Sequence, residues 1–174
     1  SGSVSLSQAV PGQGVSLDTG GGTTKRTLMS DGRVLHTSAL NIGTRLIAWD
    51  QDGKVNHLDH AGTMVARNIG LNPKLGKGLD ETDQRAIAER MAGCLIEFIG
   101  FEPMGDLAHD LFLTETPPPP LSSKISLTLA GGLSEYFYGR ETSPRGDLGL
   151  WISQALRRKL LQRIPESAIL TPEN

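Results

Sequence analysis

The sequence predicts an α/β fold, a mixed sheet that opens with an antiparallel hairpin pair and has helices packed on it. Three observations point there. The front of the chain is a series of short apolar or β-branched runs separated by glycine turns. The middle has a long stretch whose apolar residues recur at helical spacing. Near the end, a strand without charges runs through two glycines into a helical segment.

In chain order, Val15-Ser16-Leu17 forms a strand and Asp18-Thr19-Gly20-Gly21-Gly22-Thr23 a glycine-dense turn. Thr24 to Ser30 is the second strand, Asp31-Gly32 the two-residue turn favoured in hairpins, and Arg33 to Leu40 the third. Ile47-Ala48-Trp49 and Val55-Asn56-His57-Leu58 make another hairpin around Asp52-Gly53, and Gly62 to Ile69 is a short helix. Asp80-Glu81-Thr82-Asp83 offers an N-cap and first-turn acids. Behind it Ile87, Met91, Cys94, Leu95 and Phe98 share one face, with Arg85 and Glu89 an i,i+4 step apart on the other. Pro117 to Pro120 is an extended connector, expected to be a rigid surface linker. Ile125 to Ala130 is a buried strand, and Gly131-Gly132 turns it into a short helix, Leu133 to Tyr138. Asp147 is expected to cap a last helix with the stripe Leu148, Trp151, Ile152, Ala155, Leu156, Leu160 and Ile164, which Pro165 stops. Ile169-Leu170 begins a strand that is not finished. This order is most of a ribonuclease-H-like unit with its final strand missing.

At 174 residues, 37% of them apolar, the chain is one domain or one lobe with a real core. The expected organisation is a tag remnant and linker over 1–13, a domain over 14–170, and a truncated tail over 171–174. The domain carries a hairpin insertion near 46–60 and a proline-rich loop at 116–121. The net charge of -2 argues against a nucleic-acid partner, whose phosphates call for clustered Lys and Arg. No apolar run approaches the ~20 residues that span a bilayer. The single cysteine, Cys94, fits a reducing compartment and lies on an apolar stripe, where it is expected in the core.

Two constellations carry chemistry. In Asp18-Thr19-Gly20-Gly21-Gly22-Thr23-Thr24 the glycines let backbone amides approach a phosphate, and Thr23 and Thr24 add hydroxyl donors. Asp18, at the strand end, suits Mg²⁺ held through water. A plain hairpin needs one or two glycines and gains nothing from the aspartate and the threonine pair, so phosphate binding is favoured. In Leu129-Ala130-Gly131-Gly132-Leu133-Ser134-Glu135-Tyr136, a strand opens through glycines into a helix, placing free N–H groups beside a ligand. Alone this second pattern is weak, because glycine also serves close helix–strand packing.

Together the two motifs resemble the second lobe of actin-like ATPases, the first as its second phosphate loop and the other as its adenosine motif. The resemblance narrows with Ser16-Leu17-Asp18-Thr19-Gly20-Gly21-Gly22-Thr23-Thr24, Ala39-Leu40-Asn41-Ile42-Gly43-Thr44-Arg45-Leu46-Ile47 and Ala130-Gly131-Gly132-Leu133-Ser134-Glu135-Tyr136-Phe137-Tyr138-Gly139-Arg140-Glu141, with Gly146-Asp147-Leu148-Gly149 behind them. These blocks are similar to the ethanolamine ammonia-lyase reactivating factors, the EutA family. The resemblance implies an actin-like ATPase fold and a chaperone-like role in ethanolamine utilization. Such a factor uses ATP and Mg²⁺ to exchange damaged cobalamin for intact coenzyme on ethanolamine ammonia-lyase, its partner. It also implies a cytoplasmic location with association to a bacterial microcompartment. Asp18 would then face the metal, Gly20, Gly21, Gly22, Thr23 and Thr24 the phosphates, and Gly131, Gly132 and Glu135 the nucleoside side. Lys25 departs from the small polar residue expected there, and no earlier phosphate loop precedes the turn. The chain is therefore expected to supply half a cleft, with ATPase activity belonging to the full-length protein.

Two rivals remain open at this point. One is a kinase or phosphatase of the same superfold, for which no substrate-facing acid or base can be singled out. The other is a non-catalytic interaction domain on that fold. The remaining features are bland: His57 and His60, with Asp59 between them, lack a third convergent ligand and are expected to be surface residues. Arg157, Arg158, Lys159 and Arg163 are explained by the dipole of the helix they end, with an acidic partner as the alternative.

Overall fold

The computed structural model describes residues 12–115, 118, 119, 121 and 124–172. Strands β1 (Gln13–Thr19), β2 (Thr24–Ser30) and β3 (Arg33–Leu40) form a meander, and β4 (Ile47–Trp49) and β5 (Val55–Leu58) a separate hairpin. Helices α1 (His60–Asn68), α2 (Glu81–Ile99) and α3 (Asp106–Leu111) follow. Then come β6 (Ile125–Gly131), α4 (Gly132–Phe137), α5 (Gly149–Leu161) and β7 (Ile169–Leu170). The main sheet runs β3-β2-β1-β6-β7, antiparallel among the first three strands and parallel from β1 through β6 to β7. This is the ribonuclease-H-like order.

The fifth position holds the two-residue β7, the unfinished strand expected at Ile169-Leu170, in which these residues pair with Leu127 and Thr128. Tyr138 fixes this stub. Its hydroxyl donates to the Leu170 carbonyl at 2.6 Å and accepts the Leu129 N–H at 3.0 Å. One phenol thus ties α4 to both of the last strands.

Local chemistry explains the elements. Asp31 and Gly32 have φ of 50° and 79°, the paired positive values of a type I′ turn that matches strand twist. The Asp80 side chain accepts the Asp83 N–H at 2.9 Å, and Gly100, at φ 115°, ends α2 in the left-handed conformation. Ile87, Met91, Cys94, Leu95 and Phe98 are all buried as the stripe predicts, and burial pushes the Cys94 thiol up to about 11. Arg85 and Glu89 do not pair with each other. Arg85 turns back to Glu81 at 3.1 Å and stacks over Trp151 of α5, while Glu89 reaches Arg158 and Lys159. The two long helices are joined inside by Gln84, which donates to the Leu79 carbonyl and accepts the indole N–H of Trp151. Asp147 acts one residue earlier than a conventional cap, accepting the Gly149 N–H at 2.9 Å while Leu148 takes the cap position. Ile164 lies beyond the end of α5, partly buried against the core. Of the proline connector, Pro118 and Pro119 are half-buried, and Pro117 and Pro120 lie outside the described residues.

The side of the sheet facing the helices carries Val15, Leu17, Leu28, Leu40, Leu127 and Leu129, all buried. Among them lies Arg26, with no exposed surface. Its Nε donates to the Ile99 carbonyl at 2.9 Å and its Nη2 to that of Pro119 at 3.2 Å, joining β2 to the end of α2 and to the proline segment. Burial brings this guanidinium down to about 10. No helix among the described residues is long and apolar enough to cross a membrane.

Replacing Tyr138 by Phe keeps the ring and removes both hydrogen bonds. The expected cost is about 1 kcal/mol in urea unfolding, with faster deuterium exchange confined to the β6–β7 margin.

Candidate functional site

Parallel pairing of β1 with β6 sets Asp18 beside Ala130 and Thr19 beside Gly131, so both strands end at the same edge of the sheet. The two glycine motifs therefore meet. Gly131, at φ 82°, is demanded by this meeting, since a Cβ there would lie 2.4 Å from the Thr19 carbonyl oxygen and 2.5 Å from Asp18 Oδ1. Asp18, Gly131, Gly132 and Glu135 are all exposed around that edge.

The loop after β1 is clamped from below by residues 41–45. Thr44 N–H donates to the Gly20 carbonyl at 3.0 Å, Arg45 N–H to that of Gly21 at 2.8 Å, and the Asn41 side chain to that of Gly22 at 2.8 Å. Gly43 makes the approach possible, because a Cβ on it would stand 2.3 Å from Gly21 O and 2.4 Å from Gly22 N. The clamp uses carbonyls. The amides of Gly21 and Gly22 donate to no acceptor among the described residues.

The loop glycines themselves are not required by the fold. None of Gly20, Gly21 and Gly22 has a positive φ. A Cβ would meet nothing within 4 Å at Gly22, only the Thr23 carbonyl oxygen at 4.0 Å at Gly20, and the Arg45 stem at ordinary contact distance at Gly21. Backbone amides left without acceptors are able to hold an anion.

The threonines divide. Thr23 is exposed beside the loop, whereas Thr24, expected to face a phosphate, is fully buried. The Thr24 hydroxyl donates to the Ile42 carbonyl at 2.9 Å and meets the Thr19 hydroxyl at 3.0 Å, bracing the loop from beneath. Lys25 is exposed and sits directly across from Asp18 in the β1–β2 register.

Beside the loop is a groove of about 420 Å³ whose lining includes Gly132, Glu135, Arg45, Tyr136, Arg140 and Asp147. Arg45 and Asp147, which motif reading did not single out for the site, pair across it at 3.3 Å. Burial pushes the Asp147 carboxyl above its ordinary value, against the Gly149 N–H and Arg45. Burial, reinforced by the Asp147 charge, raises Tyr136. Their signal lay in the Asn41–Leu46 and Gly146–Gly149 blocks, whose contact no local pattern reveals.

Among the described residues no three His, Cys, Asp or Glu side chains group as a metal site, and His57 pairs with Asp59 at 3.2 Å. A lone exposed carboxylate at a phosphate-type loop fits Mg²⁺ that keeps its waters and arrives with a phosphate, the usual habit of that ion. The basic cluster at the end of α5 is spent internally: Arg157 on Glu166, Arg158 and Lys159 on Glu89, and Arg163 on Glu102.

Strand order, an amide-bearing glycine loop and a strand-Gly-Gly-helix turn meeting at one sheet end define a lobe of the actin-like ATPase fold. The chain belongs to the ethanolamine utilisation protein EutA family, whose model matches residues 1–170. It is 29% identical over 157 residues to the ethanolamine ammonia-lyase reactivase EutA of Salmonella typhimurium, covering 89% of this chain and 33% of that protein. It is 28% identical over 144 residues to the reactivase of the same name from Escherichia coli K12, covering 82% and 30%. The chain thus spans about a third of the length of these curated relatives. A solved structure, the activator of the 2-hydroxyisocaproyl-CoA dehydratase from Clostridium difficile with bound ADPNP, aligns with 98% of this chain and 59% of its own. At 11% identity and a TM-score of 0.36, no site assignment rests on it.

Gly43→Ala drives a methyl into the Gly21–Gly22 peptide, and the expected cost is about 2 kcal/mol or more in urea unfolding, whereas Gly22→Ala stays within about 1 kcal/mol. The raised Asp147 carboxyl gives a second expectation. Its folded pKa lies above the unfolded one, so its contribution is greatest at low pH and is lost as pH rises through the folded value. Asp147→Asn is expected to flatten that limb of a melting-temperature profile; an unchanged profile would exclude the assignment.

Proposed function

We propose that this chain forms the phosphate-holding half of the nucleotide cleft in an ATP-dependent reactivating factor that releases damaged cobalamin from ethanolamine ammonia-lyase. The observation that carries the nucleotide half of this reading is the glycine loop. Its glycines answer to no steric demand of the fold, and the amides of Gly21 and Gly22 donate to no acceptor among the described residues. A ligand whose oxygens approach the backbone closely would account for both. Membership of the EutA family and the reactivase names of its relatives support the partner.

On this reading Gly21 and Gly22 hold a phosphate through N–H donors, and the exposed Thr23 adds a hydroxyl. Asp18 holds Mg²⁺ through its waters, and Lys25, directly across the ladder, supplies a cation beside it. Gly132 and Glu135 line the adjoining groove where the nucleoside would lie. When bound, Mg-ATP supplies the free energy of the cycle. The chain's part is to bind it differently in open and closed arrangements of the cleft, so that occupancy shifts their populations and with them the grip on the lyase. The factor would work in the cytoplasm, in association with a bacterial microcompartment.

Calorimetry with Mg-ATP on this chain tests the site. Binding is expected, with Gly21→Asp abolishing it by adding a negative charge to the loop, against the Arg45 stem. Asp18→Ala is expected to weaken Mg-ATP about tenfold while leaving ATP in EDTA unchanged. A Gly21→Asp chain that binds as well as the unaltered one would sink the assignment. In the full-length protein, Asp18→Ala should also abolish ATP-dependent cobalamin exchange on the lyase; exchange at the normal rate would reject the reactivase role of the site.

A further inference from the structure

We propose that Arg45 is a phosphate-contacting residue, and that it engages the phosphate by exchanging Asp147 for it; this rests on the reading of the glycine loop as a phosphate site. Arg45 is attached to the loop twice. Its backbone N–H donates to Gly21 O at 2.8 Å, and its Cβ, Cγ and Cδ lie 3.7–3.9 Å from where a Gly21 Cβ would stand. The stem is therefore laid along the loop, and the guanidinium leaves it into the 420 Å³ groove that Gly132 and Glu135 also line.

The guanidinium is incompletely used there. Its hydrogen bond to Asp147 is single, Nη1 to Oδ2 at 3.3 Å, and the arginine side chain remains 53% exposed. A planar fork with donors to spare, anchored beside unpaired amides, matches the oxygens of a phosphate better than it matches this one long contact. Because the stem is already fixed against Gly21, ordering it for a phosphate costs little.

Asp147 stands at the other end of the exchange. One carboxylate oxygen accepts the Gly149 N–H at the start of α5, and the residue bridges to Ala48 of β4. The next residue, Leu148, donates its N–H to the Thr44 carbonyl, within the segment that clamps the loop. The ionisable groups facing Asp147 are Arg45 and, from α4, Tyr136. Once the guanidinium turns to a phosphate, this buried carboxylate keeps only its helix contact. Phosphate occupancy thus reaches the start of α5 and the β4–β5 hairpin through one shared arginine.

The test is Mg-ATP calorimetry on the unaltered chain, Arg45→Ala, Arg45→Lys and Asp147→Asn, with Gly21→Asp as the loop control. Arg45→Ala is expected to weaken binding by at least tenfold, with part of the loss recovered by Arg45→Lys. Asp147→Asn, which removes the competitor, is expected to bind about threefold tighter. In parallel, the Asp147 carboxyl followed by carbon NMR should titrate at higher pH in the Mg-ATP complex than in the free chain. If Gly21→Asp loses binding while Arg45→Ala binds normally, the loop reading stands and the role of Arg45 falls. Equal or weaker binding by Asp147→Asn, or an Asp147 titration unmoved by Mg-ATP, overturns the exchange. No binding by the unaltered chain removes the loop reading and this proposal together.

Discussion

Residues 41–45 pass so close beneath the loop after β1 that only glycine fits at position 43. That contact fixes which way the loop faces. With the carbonyls of Gly20, Gly21 and Gly22 drawn inward to Thr44, Arg45 and Asn41, the peptide planes turn their amides outward. The buried Thr19–Thr24 hydroxyl pair and the Ile42 carbonyl complete the base. The proposed anion site would thereby be preorganised, since the polar groups that would otherwise reorient around a ligand are already held by covalent geometry and hydrogen bonds. The same segment ends in Arg45 and meets the residues before α5, so the loop, the groove and the last long helix share one support.

Polar side chains inside the core play a comparable part at the two ends of α2. Arg26 and Gln84 are each buried and each bonded to a backbone carbonyl, Arg26 to that of Ile99 and Gln84 to that of Leu79, and Gln84 also accepts the Trp151 indole N–H. Burying such groups costs free energy, and their carbonyl partners recover part of it. What they contribute beyond that is position: a guanidinium donating to the last carbonyl of α2 specifies how far that helix extends over the sheet, which apolar contacts alone specify loosely.

Much of the fold was legible where local chemistry and pattern agree. β2 and β3 fall where the Asp31-Gly32 turn places them, and α2 begins where the Asp80 cap places it. α3 was missed because six residues give no periodicity to read, whereas β7 falls at Ile169-Leu170, where a strand was expected to begin; what the sequence hides is its tie to Tyr138, thirty-two positions away. Within the site, the residue types of both glycine motifs were legible, and the parallel β1–β6 pairing brings them together. The burial of Thr24 was not, since a hydroxyl beside a glycine loop looks the same in sequence whether it faces a ligand or the core. Nor was the Arg45–Asp147 pair, which spans 102 positions and depends on how α5 approaches the loop. Separate acid and base residues in sequence carry no mark of such a meeting.

The pairing of Leu17 with Leu129, and of Thr19 with Gly131, joins strands whose paired residues lie 112 positions apart. Everything from β2 to α3 lies between them. The hairpins and helices in that interval can form from local contacts, but the edge where Asp18 meets Gly131 closes only after the whole interval has been looped out, with its entropy already lost. The site is accordingly among the last features to come into being as the chain folds. A partly folded molecule can contain most of the helices and hairpins while still lacking any place for the two glycine motifs to act together.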